Sequence, residues 1–334
     1  MKVFVTGGAG YIGSHITLEL LEAGYTVTVY DDLSLGFKEN VDPRAQFIEG
    51  STLDKNYLKK SLLNEFDAVV HMAAFKAAGE SMTDPAKYSQ NNLNGTINLL
   101  NVMTELGIKD LIFSSTAAVY GYPNYLPVDE DHDLKPINFY GYTKLVIEQI
   151  MQWYADLLGL RYMALRYFNA AGYDITGRIR CMEQNPANLL PIVMELASGR
   201  KESMEVFGDN YNTVDGTGVR DYIHVSDIAV AHVKALDYLS RNKKSVTLNL
   251  ATGKGYSVLE VIKKAEEISG QNITFDVVDR RPGDPAELVA TSKLAFDLLG
   301  WDPKYSSLET LLSSMWNIYK NEIREPRSLS LIHI

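Results

Sequence analysis

Only one cysteine, Cys181, stands among the 334 residues, so neither an intramolecular disulfide nor a cysteine zinc cluster can form, which suits a reducing compartment. No apolar run reaches the roughly 18 to 20 residues that cross a bilayer. Positive charge is in deficit. Lys and Arg total 32 against 42 Asp and Glu, a net charge of −10, and such an acidic body repels phosphate backbones and anionic lipid. Nucleic-acid and membrane-surface roles are therefore not expected. The N-terminus enters a strand and a glycine turn at once, with no charged leader or cleavage site, so the expected location is cytoplasmic. What is present is 46% hydrophobic and 22% charged, the balance of a globular chain long enough for one large or two modest domains.

Through the first half, short β-branched or apolar runs alternate with longer amphipathic ones. That alternation predicts an α/β fold whose parallel sheet is covered by helices. Strands are expected at 3–5, 26–30, 46–48, 68–71, 111–114 and 161–167, and helices at 11–23, 57–63, 86–106 and 142–158. After about residue 170 the spacing becomes irregular, punctuated at Pro186, Pro191, Gly199, Gly208, Gly216, Gly218, Pro282, Gly283 and Pro285. The expected division is a nucleotide-binding domain over 1–170 and a smaller α/β substrate domain over 171–334, with the segment at about 219–240 a candidate to return to the main sheet. No repeat or low-complexity tract appears, and the segment 324–334 has no period and reads as a tail.

Gly7, Gly10 and Gly13 form a Gly-x-x-Gly-x-x-Gly run between the first strand and the first helix. Such a run lets a ligand approach the backbone and sets a diphosphate at the positive end of the helix. A glycine-rich turn that merely packs helix on strand competes with this reading. Asp31 tips the balance, because it ends the second strand 18 residues beyond Gly13, close to the roughly 20 at which an acid holds adenosine ribose hydroxyls. Asp31 also repels a 2′-phosphate, and no arginine lies between Tyr30 and Asp42, so NAD is favoured over NADP.

A second constellation lies in Tyr140-Gly141-Tyr142-Thr143-Lys144, where Tyr140 and Lys144 are four apart and share one face at the start of a helix. Hydroxyls of Ser114, Ser115 and Thr116 end the preceding strand. A phenol with a pKa near 10 becomes a base at neutral pH only if roughly 4 kcal/mol favours its anion. One fixed cation at about 5 Å, in an effective dielectric of about 20, supplies roughly 3.3 kcal/mol. A second positive charge, such as an oxidised nicotinamide, completes the shift.

With both constellations in place, the chain resembles the extended short-chain dehydrogenase/reductase family, and within it the branch that inverts C4 of UDP-hexoses. The resemblance runs over nearly the whole chain, through VTGGAGYIGSH at 5–15, FKAAGES at 75–81, NNLNGT at 91–96, FSSTAAVYG at 113–121, YGYTK at 140–144, RYFNAAG at 166–172, NLLP at 188–191, DGTGVRDYIHV at 215–225 and RRPGD at 280–284. It implies a Rossmann-type, doubly wound parallel sheet with a smaller C-terminal substrate domain. It implies NAD contacts at Gly7, Gly10, Tyr11, Ile12, Gly13, Asp31, Ser51, Thr52, Met72, Ala73, Ala74, Lys76, Asn92, Thr116, Tyr140, Lys144 and Phe168, with Lys144 bridging nicotinamide ribose and Tyr140. Tyr140 would be the general base and acid, and Thr116 the hydroxyl that shares the sugar 4-OH. A UDP-sugar would meet Lys76, Thr116, Tyr140, Asn169, Asn188, Leu189, Phe207, Arg220, Arg281, Asp284 and Leu288, with the two arginines on its diphosphate.

The implied reaction interconverts UDP-glucose and UDP-galactose by transient oxidation to a 4-keto sugar, rotation and hydride return. Galactose metabolism and polysaccharide building are both compatible with it, and the resemblance further implies a homodimer. Ser51 replaces an acid that often touches adenine in the family and supplies no charge there. Leu288 is intermediate in size at a position associated with room beside the sugar, so acceptance of UDP-N-acetylglucosamine stays open. A nucleotide-sugar 4,6-dehydratase is the nearest alternative, but it carries an Asp-Glu pair where this chain has Ala117 and Ala118. His15, His71 and His224 are isolated, favour core or hydrogen-bonding roles, and leave no metal site expected.

Overall fold

The computed structural model describes residues 1–63, 65–183, 186–281 and 284–322. The punctuation at Pro282 and Gly283 and the expected tail at 324–334 lie outside the described residues. The chain begins β1 (Lys2–Thr6), α1 (Tyr11–Glu22), β2 (Thr26–Asp31), β3 (Gln46–Glu49), α2 (Lys55–Ser61), β4 (Ala68–His71), α3 (Ala78–Thr83), α4 (Pro85–Tyr88), α5 (Gly95–Leu106), β5 (Asp110–Thr116), α6 (Phe139–Leu158) and β6 (Arg161–Tyr167). It continues with β7 (Asn169–Ala171), α7 (Leu189–Ala197), β8 (Met204–Phe207), β9 (Val219–His224), α8 (Val225–Asn242) and β10 (Val246–Leu250). The last elements are β11 (Gly255–Ser257), α9 (Val258–Ser269), β12 (Phe275–Val278), β13 (Glu287–Leu288), α10 (Lys293–Leu299) and α11 (Leu308–Tyr319).

Seven parallel strands form the main sheet in the order β10-β6-β5-β4-β1-β2-β3. Strand alternation sends Val3 and Val5 to the α1 and α8 face and Phe4 to the α5 and α6 face, so both faces are buried, as a parallel sheet requires. The order reverses between β1 and β4, and a ligand crevice is expected beyond the carboxyl ends at such a switch point. Chain that lies past residue 170 contributes to this layer: α8 packs on α1, and the sheet gains β10 as an edge strand. The returning segment is thus 225–250 and not 219–240: β9 stays in the smaller sheet, and the strand that joins the main one is β10, ending at Leu250. A smaller layer holds β11-β9-β13 with β7 against β9, and the pair β8-β12, packed with α7, α9 and α11.

Two helix expectations change. The helix expected over 86–106 is interrupted by a π-turn, Ser89–Asn94, because the Asn92 amide is bonded to the Phe75 backbone, accepting from N at 2.9 Å and donating to O at 3.0 Å. The helix expected from residue 142 starts at Phe139, because the Asn138 side chain caps it by accepting from Gly141 N at 2.8 Å. That earlier start sets Tyr140 inside the first turn. Among the described residues no helix is long and apolar enough to cross a membrane.

Candidate active site

The first cleft is founded on a tight glycine turn. Gly7 has φ +71, and a Cβ there would lie 2.5 Å from Ala73 N; a Cβ on Gly13 would lie 2.1 Å from Gly7 O. Only glycine permits this closeness of β1, α1 and the loop after β4. No side chain caps α1 and its first turn holds no acid, so its positive end is left for an anionic ligand. Asp31 closes the far end of this cleft. It is 7% exposed, with one oxygen accepting from Ala9 N at 3.0 Å and the other from Leu33 N at 2.8 Å. Burial pushes its carboxyl pKa up against those two bonds, and a carboxylate keeps further lone pairs for hydroxyl donors.

Gly7, Gly10, Tyr11, Ile12, Gly13, Met72, Ala74, Lys76, Tyr140 and Lys144 line the part of this cleft that leads to the phenol. Asp31, Ser51, Thr52 and Ala73 line its continuation toward β2 and β3. A second cleft, about 390 Å³ in volume, opens on the C-terminal layer and is lined by Thr116, Phe168, Asn169, Asn188, Leu189, Phe207, Arg220, Arg281, Asp284 and Leu288. Tyr167 borders both, so the two clefts meet at the carboxyl end of β6. Several expected ligand contacts are placed differently: Phe168 and Thr116, expected on NAD, line only the sugar cleft, and Tyr140, expected on the sugar as well, borders only the cofactor side. Lys76 borders only the cofactor side, where its ammonium pairs with Glu183. Asn92 is wholly buried and acts on the Phe75 backbone and, at 3.4 Å, on Thr143 Oγ1.

At the meeting point, Tyr140 is fixed by a bond from its backbone N to Ser81 Oγ at 3.0 Å, and the Thr116 hydroxyl stands beside its phenol. Lys144 Nζ donates to Ser114 O at 2.7 Å and lies 6.0 Å from the Tyr140 ring centre. Burial pushes the phenol up to about 12, with the neighbouring Thr116 hydroxyl opposing it. Burial also pushes Lys144 down to about 7, against the pull of Glu148 one helical turn on. The phenol therefore needs roughly 7 kcal/mol to reach neutrality. A cation at this distance gives about 3 kcal/mol at an effective dielectric of about 20, while the lowering by Thr116 is already contained in that position of the phenol. These residues leave a shortfall of about 4 kcal/mol, a gap that a second cation about 4 Å from the phenol would fill.

The model of the NAD dependent epimerase/dehydratase family matches residues 3–251. The chain belongs to that family. A family relative, the UDP-glucose 4-epimerase of Lacticaseibacillus casei, is 44% identical over 96% of this chain and 97% of its own. Among solved structures of the family, UDP-glucose 4-epimerase from Brucella ovis in complex with NAD aligns with TM-score 0.93 at 42% identity, covering 97% of this chain and 99% of that one. The Bifidobacterium longum enzyme in complex with NAD+ and UDP aligns with TM-score 0.90 at 38% identity, over 96% and 99%. NAD is accordingly the cofactor of this family member, and the glycine cradle, the uncapped helix end and Asp31 fit it.

Sequence reasoning missed several residues of the cofactor wall. Met182 and Glu183 line it from the C-terminal layer, and Asn40 brackets Cys181 by bonding both its N, at 3.0 Å, and its O, at 3.3 Å. None has a local pattern to read, since their neighbours in sequence are irregular. Tyr167 had a signal, a phenol at a strand's carboxyl end, but its partner His232, at 2.8 Å, is 65 residues away. His15, His71 and His224 are all buried and hydrogen-bonded within the fold.

Proposed function

We propose that this chain interconverts UDP-glucose and UDP-galactose by inverting C4 of the hexose. The observation that carries the reading is the placement of Tyr140, Thr116 and Lys144 where a dinucleotide-shaped cleft meets a cleft bearing Arg220 and Arg281. NAD, when bound, supplies the acceptor and donor of the C4 hydride and a positive charge near the phenol. The residues do the rest. Tyr140 takes the proton of the C4 hydroxyl, Thr116 hydrogen-bonds to the phenol and orients the hydroxyl, and Lys144 favours the phenolate. Arg220 and Arg281 hold the diphosphate, so the hexose turns without leaving and offers the other face of its 4-keto form. Tyr140 then returns the proton. Asn169, Asn188, Leu189 and Phe207 complete the nucleotide-sugar wall, with Asp284 and Leu288 beside it.

Water elimination finds no support, because Ala117 and Ala118 line the sugar cleft where a second acid and base would have to stand. The domain reading that fits is a cofactor domain of 1–170 completed by 225–250, with the remainder holding the UDP-sugar. A homodimer through α6 is also supported: Trp153 and Leu157, one turn apart, are 64% and 72% exposed. One cysteine suits the cytoplasm. The test is to incubate purified protein, without added cofactor, with UDP-galactose and separately with UDP-N-acetylgalactosamine, and to separate the products. UDP-glucose is expected from the first. No conversion with NAD in excess overturns the reading, and a 4-keto-6-deoxy product replaces it with a dehydratase.

A further inference from the structure

Beneath the meeting point of the clefts lies a buried chain of hydrogen bonds that the mechanism above does not use. His71, at the end of β4, is 3% exposed. Its Nδ1 lies 2.6 Å from Thr6 Oγ1 and its Nε2 2.8 Å from Thr96 Oγ1. Thr6 immediately precedes the glycine turn, and its hydroxyl accepts from Ala73 N at 3.5 Å. Thr96, on α5, donates to Asn92 O at 2.6 Å inside the π-turn. Asn92 in turn reaches Thr143, whose hydroxyl donates to Tyr140 O at 2.7 Å.

Donor counting fixes the proton order. A hydroxyl has one hydrogen, and that of Thr96 is spent on Asn92 O, so His71 Nε2 must donate to Thr96. A neutral imidazole with its hydrogen on Nε2 must accept at Nδ1, so Thr6 donates to it. The order runs from Ala73 N through Thr6 to His71, and from His71 through Thr96 to Asn92. A protonated His71 would break it, because Nδ1–H would face a hydroxyl that must then turn its hydrogen elsewhere. Burial and the nearby Lys144 cation both hold the ring neutral.

We infer that His71, as the neutral Nε2–H tautomer, is a positioning residue that couples the cofactor turn at Thr6 and Ala73 to the π-turn under Tyr140. The inference rests on the proposed reaction for its kinetic arm only. A buried group that merely filled space would tolerate loss of direction in these bonds, whereas a strut would not, because misplacing a reacting group by about 1 Å costs up to about a hundredfold in rate.

Two measurements on the NAD-loaded protein test it. The first is 15N NMR of histidine-labelled protein, with the His71 signals identified by their absence in His71→Gln. His71 is expected to remain the Nε2–H tautomer from pH 8 down to about 5, below the ordinary histidine pKa. An Nδ1–H tautomer, or protonation within that range, overturns the proposal whether or not the protein is an epimerase. The second compares Thr96→Val with Thr96→Ser, with turnover counted per NAD-containing chain so that unfolded material does not contribute. Thr96→Val is expected to lower kcat about tenfold with KM for UDP-galactose within about twofold, and Thr96→Ser to restore most of it. A kcat in Thr96→Val within about twofold of the parent, or a serine variant no better than valine, overturns the strut.

Discussion

The two clefts hold their ligands by different means. The cofactor side has at its base a rigid glycine turn, an uncapped helix end and a buried, doubly bonded carboxylate, so these parts lose little freedom when it fills. The sugar side is built from side chains, and its charged ones meanwhile rest on neighbours: Arg220 lies 3.5 Å from Asp284, and the Arg281 guanidinium sits 4.1 Å from the Phe207 ring centre. Partly exposed pairs of this kind are worth about 0–1 kcal/mol, so a diphosphate exchanges for them at small cost. One site is shaped to retain its ligand and the other to trade it, as expected for a cycle that regenerates its cofactor and releases its nucleotide sugar.

The contrast is broken most severely at the glycine turn. Gly13→Ala places a Cβ 2.1 Å from Gly7 O, and the purified variant is expected to carry no NAD by chromatography of the heat-released nucleotide. Full occupancy would show that the backbone cradle is not the grip. Next in size is Tyr140→Phe, expected to keep its NAD and lose turnover by about 10² to 10⁴; parental rates would remove the phenol from proton transfer. Arg281→Ala is expected to weaken UDP binding by about 10-fold to 100-fold in calorimetry and leave NAD content unchanged. Coupled loss of both ligands would erase the distinction between the clefts.

Smallest per residue is an acid effect that spans both regions. Burial pushes His15 and His232 down to about 4 and His71 and His224 down to about 3. The unfolded chain binds protons at these sites near 6.5 while the fold does not, so stability falls as pH drops through 6.5 toward 4. Each histidine contributes about 1 kcal/mol of loss between pH 6.5 and 5.5. Denaturant titrations at those two pH values should show the drop, and His232→Gln should flatten it; identical midpoints in the parent would show that these rings titrate normally.

Periodicity made the six strands of the first half legible, and the glycine run with Asp31 located the cofactor, because each signal lies within a few residues of the backbone it shapes. Tyr140 and Lys144 were equally local, four residues apart on one helix. The π-turn was not legible, since what bends 89–94 is Asn92 reaching Phe75, seventeen residues away. Nor was β10, whose β-branched run fits any edge and finds its place only by pairing with β6.

The sequence by itself determined the α/β class, the dinucleotide turn, the choice of NAD and the phenol-ammonium pair, because helical and strand periods and chain-local spacing govern all four. Tertiary structure alone decided that Thr116 stands beside the Tyr140 phenol, that Arg220 and Arg281 share one cleft, that Glu183 reaches Lys76, and that the His71 ring lies between Thr6 and Thr96. Those partners stand tens to more than a hundred residues apart, and burial, which sets both their encounter and their protonation, is a property of the packed chain rather than of any stretch of it.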